Sequence, residues 1–261
     1  MTPKVFKAAA EMLGPKHYVA LLASTIGLTV IAPLVEHYIW ARAAVGALII
    51  FVLLTASFAV GSGHAAFKNF LLAALTAVMW TLAFTCNIAP FNTVYFGIAS
   101  YAVALLFFLT TCSIMWQDIF SGVVTVNRIC GAVCIYILVG FCFAMVHMMV
   151  VLADPSAYKD NSVTTQPISS TEVLSAERRY PIFVYFSFCT LSTLGYGDIV
   201  PVSRLARSIS WVEGLTGQLY LAILVARLVG LHIAGAAPHR LESLDPSQRT
   251  KPSSELEHSR R

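Results

Sequence analysis

Long apolar runs separated by short polar breaks dominate this chain. The runs cover about 18–35, 40–60, 66–86, 93–116, 128–152 and 205–231. Each is roughly 18–27 residues long, enough for a helix to cross a hydrocarbon core of about 30 Å. Six spanning helices are therefore expected. The breaks carry loop chemistry: Glu36-His37, Gly61-Ser62-Gly63-His64, Asn87-Ile88-Ala89-Pro90 and Gln117-Asp118. Residues 1–16 form a polar lead with Lys4, Lys7 and Lys16. The run after it is longer than the core of a secretory signal and has no clear small-residue cleavage site, so it reads as an uncleaved span.

The stretch between the fifth and sixth runs has two parts. Residues 154–179 are polar and rich in Ser, Thr and Pro, which predicts an exposed outer loop. Pro181 then stands where a helix starts well, and 181–192 reads as a short, aromatic-rich helix. It is too short to span. A non-spanning helix followed by extended backbone is tolerated at membrane depth only where protein or a water-filled cavity surrounds it. Beyond the sixth run the chain turns polar, and 234–261 reads as a disordered tail.

Composition agrees with a multi-pass membrane protein. The chain is 57% apolar and only 11% charged, with mean hydropathy +0.75. No Asp, Glu, Lys or Arg occurs from Asn69 to Gln117, nor from Ile129 to Ala153. Lys and Arg are scattered without a basic stripe, so nucleic acid is not an expected partner; membrane lipid is. With the N-terminus inside, Lys4, Lys7, Lys16, Lys68 and Arg128 are cytoplasmic, and only Arg42 falls in a short outer loop. Both termini are then cytoplasmic, as in a plasma-membrane protein (the inner membrane if bacterial). Most of the six cysteines fall in apolar runs and are expected as free thiols. Cys130 and Cys134 lie four apart, but no further ligands complete a metal set.

Residues 190–198, Thr190-Leu191-Ser192-Thr193-Leu194-Gly195-Tyr196-Gly197-Asp198, carry the most specific signal. They resemble the selectivity filter of tetrameric potassium channels, usually Thr-Val-Gly-Tyr-Gly-Asp. A potassium ion sheds its water only if oxygens replace the hydration shell, which rings of backbone carbonyls can supply. Successive carbonyls point one way when the backbone alternates handedness, and Gly195 and Gly197 occupy alternate positions where positive φ costs least. The resemblance covers about 128–233. It implies an all-α membrane protein of six helices per subunit. The pore domain would be 118–233, with outer helix 128–152, outer loop 154–179, pore helix 181–192, filter 193–198 and inner helix 205–231. It further implies a homotetramer, since one chain holds one filter copy. Carbonyls of Thr193, Leu194, Gly195 and Tyr196, with the Thr193 hydroxyl, would form potassium sites, and no other cofactor is implied. Leu194 replaces the usual Val or Ile, which alters packing behind the filter.

The same resemblance makes Tyr185 and Phe186 the aromatics that brace the filter, with Tyr185 donating to Asp198; core packing is the plainer reading. Thr190, Gly197 and Asp198 complete the support. Gly217 stands nineteen residues after Asp198, where similar channels have a gating hinge, unless it serves only close helix packing. Gln218, Leu221 and Val225 would face the cavity. Glu213 and Arg227 are charges within a span. A hydrogen-bonding role behind the filter is expected for Glu213, and snorkelling to the inner interface for Arg227. His147 stands alone in the fifth run.

The first four helices, in 17–117, have the topology of a voltage sensor without its charges: the fourth run has no Arg or Lys and the third none after Lys68. Little intrinsic voltage dependence is expected. A potassium-selective channel is the leading reading. A weakly selective cation channel, loosened by Leu194, and a non-conducting membrane subunit with a pore-like fold remain open. An enzyme is not expected: there is no nucleophile–base pair, phosphate loop or metal cluster.

Overall fold

A computed structural model of the chain describes residues 17–35, 64–85, 94–120, 125–161, 166–167 and 176–242. The expected span at 40–60, the lead 1–16 and the tail beyond 242 lie outside them. The described elements are α1 (His17–Val35), α2 (His64–Thr85), α3 (Val94–Phe120), α4 (Val126–Ala153), β1 (Tyr158–Asp160), β2 (Gln166–Pro167), α5 (Ala176–Leu191), β3 (Ile199–Pro201) and α6 (Arg204–Glu242). Among the described residues three stretches are long and apolar enough to cross a membrane: Val94–Phe120, Val126–Ala153 and Arg204–Gly230. Shorter apolar stretches, Tyr18–Gly27 and Phe67–Leu82, lie in α1 and α2.

The helices settle their own polar groups, as a bilayer requires. Thr25 donates to the Leu21 carbonyl at 2.9 Å, Thr76 to Leu72 at 2.8 Å and Thr111 to Phe107 at 2.8 Å. At the start of α4, Thr125 caps the helix by accepting from the Arg128 amide at 3.4 Å. Between helices, polar side chains act as glue. The Asn69 amide donates to Thr111 at 3.1 Å and accepts from Thr110 at 2.9 Å, joining α2 to α3. Tyr18 of α1 donates to Asp118 near the end of α3 at 2.7 Å, and Arg128 of α4 lies 3.7 Å from the same carboxylate.

The core sits where α3, α4 and α5 meet beneath β1. It includes Tyr101 and Ala104 from α3, Phe141, Met145 and Met148 from α4, Phe183 and Phe186 from α5, and Tyr158. The three strands form a sheet in the order β2-β1-β3, antiparallel throughout, with Tyr158 opposite Pro201 and Asp160 opposite Ile199.

Three expectations about this region need correction. The outer segment is not simply an exposed loop: Ala157 and Tyr158 are fully buried, because β1 pairs with the chain leaving the filter. The described fold is nonetheless mostly helical, consistent with an all-α membrane protein. The short helix begins at Ala176, not at Pro181, so Pro181 lies inside it and supplies no amide to the helix ladder. Finally, α6 continues to Glu242, past the expected 231, although 232–242 includes Gly235 and Pro238, residues that disfavour a helix interior. The compact unit holding the site ends at Tyr220; the second unit begins at Leu221, and its described part is the continuation of α6.

Candidate functional site

The signature begins inside the cap of α5. The Leu194 amide donates to the Cys189 carbonyl at 2.9 Å and the Thr193 amide to the Thr190 carbonyl at 3.0 Å. These crossed bonds are a Schellman cap, with Thr193 at the position that needs a left-handed backbone. Thr193 accordingly has φ 60°, and among the described residues it is the one non-glycine with positive φ. Gly195 follows at φ 55° and Gly197 at φ 77°. Left-handed residues thus occupy every second position from 193 to 197. A left-handed β-branched residue is strained by roughly 1–3 kcal/mol, so the surroundings must hold Thr193 in place. Here the cap holds its backbone, and Gln218 donates to its hydroxyl at 3.3 Å.

Other elements fix the two ends of the signature. At the outer end, Asp198 accepts from the Tyr185 hydroxyl at 2.7 Å and from the Ile199 amide at 2.9 Å. The Tyr185 and Tyr196 rings lie parallel, 6.5 Å apart. Asn161, just beyond β1, donates its backbone amide to the Asp198 carbonyl at 2.7 Å and its side chain to the Gly197 carbonyl at 3.3 Å. At the inner end, Tyr136 of α4 donates to the Leu191 carbonyl at 3.2 Å. Gly217 lies against that carbonyl so closely that a Cβ there would sit 2.2 Å from its oxygen. This contact is a close-packing role for Gly217, and α6 runs through the position unbroken. Leu194 and Tyr196 are 58% and 68% exposed, so the strand is uncovered in a single subunit.

Phe186 turns the other way from Tyr185. Its ring packs in the core, 5.0 Å from His147 and 5.6 Å from Tyr158. It borders a buried polar group. His147 is not alone: its Nδ1 lies 2.6 Å from the Tyr158 hydroxyl and its Nε2 2.9 Å from Glu213 Oε2. The other Glu213 oxygen contacts Ser187 Oγ, which reaches the Gly140 carbonyl at 2.7 Å. His147, Ser187 and Glu213 are all completely buried. Burial pushes the Tyr158 phenol above its usual range, so it remains a donor. Glu213 therefore sits between α4 and α5 in a hydrogen-bonded setting.

Sequence reasoning did not bring in Asn161, Tyr136, Ser187 or Tyr158, which carry no motif and lie far along the chain from their partners. Leu221 and Val225, 39% and 57% exposed, belong to the second unit. Thr190 contributes its carbonyl to the cap. Searches of curated proteins and of solved structures gave no match. The profile of a family described as "Ion channel" matches residues 146–232, about one third of the chain, from the end of α4 through the signature into α6. The region that builds this site is therefore similar to an ion-channel domain of the potassium-channel type, which conducts and does not catalyse.

Proposed function

We propose that the chain is one subunit of a homotetrameric, potassium-selective channel that conducts passively and has little voltage dependence of its own. The subunit would have six spans, sit in the plasma membrane and keep both termini in the cytoplasm. The observation that carries this reading is the alternation of left-handed residues at Thr193, Gly195 and Gly197. Such a backbone turns successive carbonyls to one side, where four copies around an axis replace the water of a bare cation. In this reading the carbonyls of Thr193, Leu194, Gly195 and Tyr196 form the ion sites, with the Thr193 hydroxyl oriented by Gln218.

Two further features support it. The C-terminal end of α5 leads directly into the signature, so the negative end of its dipole favours a cation there. Only 11% of the most apolar stretch of α6 is buried within the subunit, against 56% for α4, as expected of a helix that meets neighbouring copies. The absence of Arg and Lys from α3 supports weak voltage dependence.

The test is potassium flux from purified protein in liposomes, with Gly195→Ala as control. Within the subunit no atom lies within 4 Å of the added Cβ, so there the substitution acts through the backbone angle. An L-residue held left-handed costs about 1–2 kcal/mol per copy. Potassium efflux that G195A abolishes supports the proposal. Equal sodium and potassium flux would move the reading to a weakly selective channel, and no flux at all to a non-conducting subunit.

A further inference from the structure

We propose that Glu213 is held as a neutral carboxylic acid, and that it donates its proton to Ser187 as a positioning residue for the pore helix. At 2.9 Å the Glu213–His147 contact has the distance of an ion pair. Counting protons points elsewhere. The chain Tyr158–His147–Glu213–Ser187–Gly140 has four contacts at hydrogen-bond distance. Its last member is a carbonyl, which only accepts. Ser187 has one hydroxyl proton, so if that proton goes to Gly140 the Glu213–Ser187 contact needs a proton from Glu213. The remaining Glu213 oxygen then accepts from His147 Nε2–H, and His147 Nδ1 accepts from Tyr158. Four protons serve four contacts, all in one direction, and every group is uncharged.

Moving the Glu213 proton onto His147 keeps the same proton count but serves fewer contacts. His147 Nδ1–H would then donate to Tyr158, leaving the buried Tyr158 hydroxyl proton without its acceptor. Ser187 would have to choose between Glu213 and Gly140. Two charges would also stand in a completely buried site between membrane-spanning helices. The neutral chain avoids both defects. It ties the outer strand (Tyr158), the outer helix (His147, Gly140), the pore helix (Ser187) and the inner helix (Glu213) together. Contact between α5 and α6 at this point therefore rests on hydrogen bonds, not on buried ions.

The test is infrared difference spectroscopy of the purified full-length protein at neutral pH, which does not depend on what the pore conducts. Wild type minus Glu213→Gln should show loss of a protonated-carboxyl C=O band that shifts in D2O. Glutamine suits the site, since its oxygen accepts from His147 and its N–H donates to Ser187. Ser187→Ala should move the same band upward, towards that of an acid with no acceptor; this arm stands alone if E213Q does not fold. Loss of carboxylate bands in E213Q, or an acid band that S187A leaves in place, overturns the proposal.

Discussion

Replacing Gly217 by Ala separates two readings of this glycine: a hinge in the inner helix, or a notch through which the inner helix passes the pore helix. The new Cβ would lie 2.2 Å from the Leu191 carbonyl oxygen and 3.1 Å from its carbon. Ordinary contact requires roughly a further ångström, and the obstacle is backbone, not the end of a flexible side chain. That carbonyl also accepts from Tyr136, so it is not free to swing aside. Overpacking of this kind costs about 1–3 kcal/mol, with a rigid obstacle at the upper end. Alanine returns about 1 kcal/mol through helix propensity. The net expectation is a loss of about 2 kcal/mol per subunit, or a fall of about 4–8 °C in Tm for a chain of this size.

Gly214, three residues earlier on the same helix, is the internal control. A Cβ there would meet the Thr190 carbonyl at 3.6 Å, an ordinary contact. Gly214→Ala should therefore be neutral or more stable by up to about 1 kcal/mol. Thermal unfolding of the purified variants, followed by circular dichroism, gives the comparison. The reasoning fails if G217A melts with wild type, or if G214A falls as far as G217A. A variant of unchanged stability but altered channel opening would favour the hinge.

Tyr185→Phe removes one hydrogen bond to Asp198 on a partly exposed ring and should change stability by less than about 1 kcal/mol. Its main effect should be faster loss of potassium flux when outer potassium is lowered; an unchanged rate would detach this bond from filter stability. Asn161→Ala should act in the same direction, because it frees the Gly197 carbonyl while leaving the backbone bond to Asp198. The double variant with Tyr185→Phe should show less than additive loss if both hold one end of the strand. Tyr18→Phe breaks the link from α1 to Asp118, a bond to a charged acceptor, and should lower stability by about 1–2 kcal/mol in denaturant titration. In planar bilayers, opening should change little between strongly negative and strongly positive potentials, since no Arg or Lys lies in α3; steep voltage gating would contradict this.

What could be read from the chain and what could not divide along a physical line. The spans α3 and α4 were legible because each is a long apolar run with a single charge, Asp118 or Arg128, near one end, and membrane insertion acts on that average property whatever its neighbours. The alternating glycines were legible because backbone handedness restricts residue type locally. Thr193 was not: its side chain argues against φ 60°, and it adopts that angle because a helix cap and Gln218, 25 residues away, impose it. The pore helix was misjudged at its start for a related reason, since the preference of Pro181 for a first turn is a weak local rule that surrounding structure overrode. Glu213 and His147 each looked isolated because their partnership spans 66 residues and leaves no spacing to detect. Even so, the cost of a lone charge in a span required a partner for Glu213 before any coordinates named one. Energetic demands can therefore be read from a sequence where the groups that meet them cannot.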